Sequence, residues 1–151
     1  MKWLVLLHVL SSIIGIGPTY FIHVLYRKRQ SVGELKQSLR LSALLDLFPK
    51  IGGSIAVISG IALVAMSPIH FLDFWIIGSL LLYVMIQILV FGVITPKQMR
   101  LRDLLEETSL KDQEMLSEPL QLQVASINRM LLLIALLGIL LFVLMFMKPV
   151  M

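Results

Sequence analysis

An all-α, four-helix transmembrane bundle is the fold this sequence predicts, and two observations carry the expectation. Hydrophobic residues make up 58% of the 151-residue chain and charged residues only 15%, against about 45–50% and about 25% in soluble domains. The excess is gathered into four runs, each near the length of about 20 residues that a bilayer core requires. Four spans leave no room for a separate soluble domain, so residues 1–151 read as a single integral membrane domain.

The first span covers about residues 3–26. Lys2 ahead of an apolar run imitates a signal peptide. The run is too long for a signal core, however, lacks a small-residue cleavage site, and ends in Arg27-Lys28-Arg29. It is therefore retained as a span. His8, Ser12, Gly15, Thr19 and His23 recur at steps of three and four and share one helical face. Pro18 cannot donate to the carbonyl of Ile14, so a kink is expected there.

The second span, about 41–66, carries two stripes. Gly52, Ala56 and Gly60 repeat every four residues, the small-residue series that lets helix backbones approach closely. Asp46 and Lys50 stand one turn apart, in the order that favours an intrahelical ion pair. Ionisable groups in hydrocarbon are costly and usually pair or line a pathway. Pro49 leaves the Leu45 carbonyl without its usual donor. The third span, about 71–95, offers Ser79, Tyr83 and Gln87 on one face. The fourth, about 130–147, has no ionisable residue and reads as a rim helix facing lipid on most sides.

Lys and Arg concentrate in the loops 27–40 and 96–129, whereas the turn at 67–70 has none. Basic loops stay cytoplasmic, so both long loops are expected inside and the N and C termini outside. The expected setting is a bacterial plasma membrane crossed several times, with the lipid bilayer as partner and a homo-oligomer or membrane complex as a further partnership. The net charge of +4 lies at span flanks, where topology and anionic headgroups account for it and nucleic acid does not. In the second loop, Thr95-Pro96-Lys97-Gln98 stands in capping-box order and opens a short helix, continuing span three or lying on the membrane surface. With no cysteine, disulfides, thiolate metal sites and thiol catalysis are excluded.

Tyr20, His23, Asp46, Lys50, Tyr83 and Gln87 fall in the cytoplasmic halves of the first three spans. Suitable helix rotations would bring them together as one inward-opening polar site. His8, His70 and Asp73 form a smaller outer group, of ligand types suited to a transition metal. No catalytic motif names a reaction, so the sequence gives no ground for an enzyme.

The run Leu7-His8-Val9-Leu10-Ser11-Ser12-Ile13-Ile14-Gly15-Ile16-Gly17-Pro18 resembles the opening of a broad group of small bacterial membrane proteins. Phe146-Met147-Lys148-Pro149 resembles their Met-x-Lys-Pro ending. Within that group the chain looks like the predicted integral membrane family called domain of unknown function 2269. More distantly it is similar to the copper-resistance D membrane domain and the J-type protoporphyrinogen oxidase. The histidine of the first motif is a proposed axial ligand in the haem-binding relatives, so the resemblance implies His8 as a haem ligand and haem b as the cofactor. The Trp-Val-Gly-Gly part of that motif is replaced by Gly15-Ile16-Gly17-Pro18, which changes the pocket wall.

Three functions follow as expectations. One is haem or redox association through His8, with Lys50 steering a propionate or an anionic substrate. Another is a proton or small-solute pathway through the inner polar residues. The last is a non-catalytic subunit or scaffold assembled through Gly52, Ala56 and Gly60.

Overall fold

The computed structural model describes residues 1–27, 29–107 and 111–148. Lys28 and Pro149, both singled out in the sequence, lie outside them. Four helical segments are long and apolar enough to cross a bilayer: Lys2–Leu25, Val32–Ala65, Phe74–Glu107 and Glu118–Met147. The first comprises α1 (Lys2–Ile16), α2 (Thr19–Ile22) and a 3-10 turn, His23–Leu25; the second joins α3 (Val32–Leu45) to α4 (Leu47–Ala65). The third runs from α5 (Phe74–Leu89) through a π-helical turn, Val90–Ile94, into α6 (Thr95–Glu107), and the fourth is the single helix α7 (Glu118–Met147).

The first three segments are interrupted where the sequence demands it. Gly17 and Pro18 separate α1 from α2, the kink expected from the missing proline donor. Asp46 separates α3 from α4, which leaves Pro49 in the first turn of α4, where its lack of an N–H costs little. Pro96 is passed by widening the helix just before it. The Thr95 N–H reaches back five residues to the Val90 carbonyl, and its hydroxyl donates to the same oxygen at 3.0 Å. Thr95 therefore does not cap a new helix, contrary to its capping-box reading, and α6 continues the third segment.

Helix extends well into both stretches that hydropathy alone assigns to loops. α3, α6 and the first turns of α7 carry too many charges to pass an apolar window but are amphipathic. Val32, Leu35 and Leu39 of α3, Leu101 and Leu105 of α6, and Val124 and Ile127 of α7 are buried together with Ile22 and Tyr26. A capping box does form, at Ser31: its hydroxyl accepts from the Glu34 N–H, and the Glu34 carboxylate accepts from the Ser31 N–H at 2.9 Å. Beside it the two connectors join. Val32 N–H donates to the Glu114 carbonyl at 2.9 Å and Gly33 N–H to that of Asp112 at 3.0 Å. Lys36 pairs with the Asp112 carboxylate at 2.8 Å.

This connector end is one of two. The other, the terminal end, gathers the start of α1, the turn between α4 and α5, and the close of α7. There Lys148 ends α7 in the left-handed conformation (φ 43°), and its ammonium lies 5.5 Å from the centre of the Trp75 ring. α7 exposes Leu132, Leu133, Leu136, Ile139, Leu140 and Val143, as expected of a rim helix, and packs through one side. Val124, Ile127, Leu131, Ile134, Gly138 and Leu141 form a buried stripe along it, and it packs against α2, the 3-10 turn, α5, the π turn and α6.

Candidate functional site

The contact between α1 and α4 supplies the most defined site. A Cβ built on Gly15 would stand 2.7 Å from the Gly53 nitrogen, and one on Gly52 would stand 2.6 Å from the Gly15 Cα. The helices therefore touch backbone to backbone, in opposite directions, and only glycine fits. Gly52, Ala56 and Gly60 all face α1 of the same chain. The face is thereby used up inside the molecule.

Toward the terminal end this contact holds His8. Its Nδ1 lies 2.8 Å from the Ala56 carbonyl and 3.3 Å from the Ser59 hydroxyl. A carbonyl only accepts, so Nδ1 carries the proton. The Ser59 hydroxyl donates to the Ile55 carbonyl at 2.7 Å and presents its lone pairs to the ring. In the neutral imidazole the bond to Ala56 selects one tautomer, with the lone pair on Nε2. Gly60 completes the seat: a Cβ there would stand 3.0 Å from the ring. Among the described residues Nε2 has no hydrogen-bond partner, and it is not among the sealed, unbonded polar atoms.

The inner polar residues do not converge on one site. Tyr20 turns toward α7, where its ring and hydroxyl lie over Gly138, and the hydroxyl is buried without a partner. His23 donates from Nδ1 to the Tyr20 carbonyl at 2.7 Å. Tyr83 instead lies over Gly53 of α4 and is bonded to Gln87 on its own helix. No hydrogen bond or ion pair joins Tyr20 or His23 to Asp46, Lys50, Tyr83 or Gln87 among the described residues. Asp46 and Lys50 also miss the expected ion pair. Asp46 occupies the break between two helices, and Lys50 is exposed with its ammonium 5.9 Å from the centre of the Phe91 ring.

His8, His70 and Asp73 are not gathered either. His70 is exposed in the turn before α5, Asp73 precedes the first turn of that helix, and His8 is committed to α4. Among the described residues no three His, Asp or Glu side chains come together as a metal site. A groove of about 510 Å³, apolar throughout, opens at the Gly17-Pro18 break against Phe142.

The family described as "Predicted integral membrane protein (DUF2269)" matches residues 2–149. The chain belongs to this family. It is an integral membrane protein, and the four apolar segments are its means of lying in a lipid bilayer. No curated protein and no solved structure matches it.

In this DUF2269 protein the most connected polar group centres on Gln98, which the sequence marked only as part of a capping box. Gln98 Nε2 donates to the Tyr26 hydroxyl at 2.8 Å and to the Ser42 hydroxyl at 3.0 Å. Asn128 Nδ2 donates to the backbone carbonyls of Tyr26 at 2.6 Å and His23 at 3.1 Å. Tyr26 is fully buried and Ser42 nearly so. The node joins the end of the first segment to α3, α6 and α7, and its role is to fix their register. Two amides just beyond the ends of apolar runs, Gln98 and Asn128, were the available signal.

Proposed function

We propose that this membrane protein is haem- or redox-associated, and that His8 Nε2 would hold the iron of haem b. The hydrogen bond from His8 Nδ1 to the Ala56 carbonyl carries the proposal. Ligating histidines are held in this way, their other ring nitrogen donating to a carbonyl or carboxylate, which fixes the tautomer and raises ligand basicity. Imidazole is a proximal haem ligand in its own right, so the donor present fits the group. The sequence resemblance points to the same histidine.

On this reading Ala56 and Ser59 orient the ring, while Gly60 lets it lie against α4. When bound, the haem would supply one-electron chemistry; the chain supplies the ligand and its orientation. Lys50 takes no part in the His8 site. It stands ten residues before Gly60, about 15 Å along α4 at the helical rise. The other two readings have less to support them. A relay needs side chains that the helix rotations keep apart, and a scaffold built on Gly52, Ala56 and Gly60 needs a face that α1 covers.

The test is an optical spectrum of the detergent-extracted protein after loading with haem b. A Soret band that is shifted or lost in His8→Ala, with the helical content of the variant intact, is the expected result. A wild-type protein that takes up no haem, or one whose spectrum His8→Ala leaves unchanged, would refute it.

A further inference from the structure

Lys97 lies half-buried between α6 and α7, held there by neutral groups. Its ammonium donates to the Ser126 hydroxyl at 2.8 Å and reaches the Met130 sulfur at 3.6 Å. Among the described residues no carboxylate lies within ion-pair distance of it. A half-buried cation beside a hydroxyl and a thioether has given up part of its water without gaining a counter-charge.

Its depth follows from the chain. The apolar run of α5 and the π turn ends at Ile94, and that of α7 begins at Met130. The contact from Lys97 to Met130 sets these two boundaries side by side, so the ammonium stands at the edge of the apolar band, where lipid phosphates lie. Arg100 follows Lys97 by three residues on α6, and Arg129 follows Ser126 by three on α7. That spacing puts each arginine one helical turn from a residue that makes the contact. Both arginines are exposed, and neither forms an ion pair among the described residues.

We propose that the α6–α7 boundary at Lys97 binds the phosphate of an anionic phospholipid headgroup, held by Lys97 with Arg100 and Arg129. An ammonium has three protons to give, and Ser126 and Met130 take two, which leaves one for a phosphate oxygen. Basic pockets between membrane helices bind anionic headgroups in this manner. A choline lipid brings its own cation and gains far less from three further positive charges. Ser126 and Met130 position the lysine, and the arginines supply the surrounding field.

Native mass spectrometry of the full chain, extracted from vesicles of equal phosphatidylglycerol and phosphatidylcholine, tests the site. The expected result is selective retention of phosphatidylglycerol, reduced about fivefold in Lys97→Gln, the weight of one basic side chain near a charged surface. Lys97→Arg keeps it. Equal retention of the two lipids by the wild-type protein overturns the proposal, whatever the variants do. So does Lys97→Gln retaining as much phosphatidylglycerol as wild type. Displacement of the lipid by millimolar inorganic phosphate would assign the site to the free anion and overturn it as well.

Discussion

Within the apolar band α1 and α4 meet backbone to backbone, whereas at the connector end α3, α6 and α7 meet through side chains. The first contact is made of Ser11, Gly15, Gly52, Gly53 and Ala56, with large apolar residues such as Ile13, Ile14, Ile55 and Ile58 turned outward. The second buries Leu35, Leu101, Val124 and Ile127 almost completely. The surrounding solvent explains the difference. Lipid tails are as apolar as leucine, so in the bilayer hydrophobic burial gives helices little reason to associate, and close approach with hydrogen bonding must serve. Beyond the apolar runs water returns, and removing leucine from it again drives packing.

The largest effect is therefore expected at a glycine rather than at a core leucine. Gly15→Leu would press a side chain into the α4 backbone, where no rotamer change can relieve it. We expect a loss of at least about 3 kcal/mol, the upper end of ordinary overpacking costs, read from the unfolding transition in mild detergent. The damage should be confined to one end. Amide hydrogen exchange around Leu35, Leu101 and Val124 is expected to stay slow while α1 and the early part of α4 exchange freely. Wild-type stability in this variant would mean that the glycine contact is not what fastens α1.

Gln98→Ala probes the opposite end with a smaller change. It leaves the Tyr26 and Ser42 hydroxyls buried without the amide that serves both. The expected cost is about 1–3 kcal/mol, the range for orphaning buried polar groups. Exchange should quicken at the connector end and leave the contact of Gly15 with Gly52 unaffected. Equal loosening at both ends would show that the bundle opens as one unit, and the distinction between its halves would fall.

Features that depend on solvent or on spacing within one helix were legible in the sequence. Four apolar runs marked the four crossing segments, Pro18 marked a kink, and Gly52, Ala56 and Gly60 marked a packing face. Features that depend on how helices turn against one another were not. Tyr20 and Tyr83 share a depth in the sequence reading, yet one lies over Gly138 and the other over Gly53. The Asp46–Lys50 pairing assumed a continuous helix, and the chain breaks at Asp46 itself. Thr95-Pro96 satisfied a capping pattern that a widened turn satisfies equally well, which freed Gln98 for Tyr26 and Ser42. His8 stood out in the sequence, but its hydrogen bond to Ala56 depends on the 48 residues between them folding back.

The smallest effect tests whether charge matters to the connector end at all. Lys36 and Asp112 form an ion pair at 2.8 Å, with side chains 37% and 69% exposed. Solvent screens such a pair, and measured values for exposed pairs fall at about 0–1 kcal/mol. The backbone bonds from Val32 to Glu114 and from Gly33 to Asp112 need no charge and already join the same two strands of chain. Asp112→Asn should therefore lower stability by no more than that range. The difference should vanish near 1 M salt, where the screening length is about 3 Å. A larger loss, or one that persists at high salt, would make the ion pair the fastener of the connectors and give electrostatics the part assigned here to buried leucines.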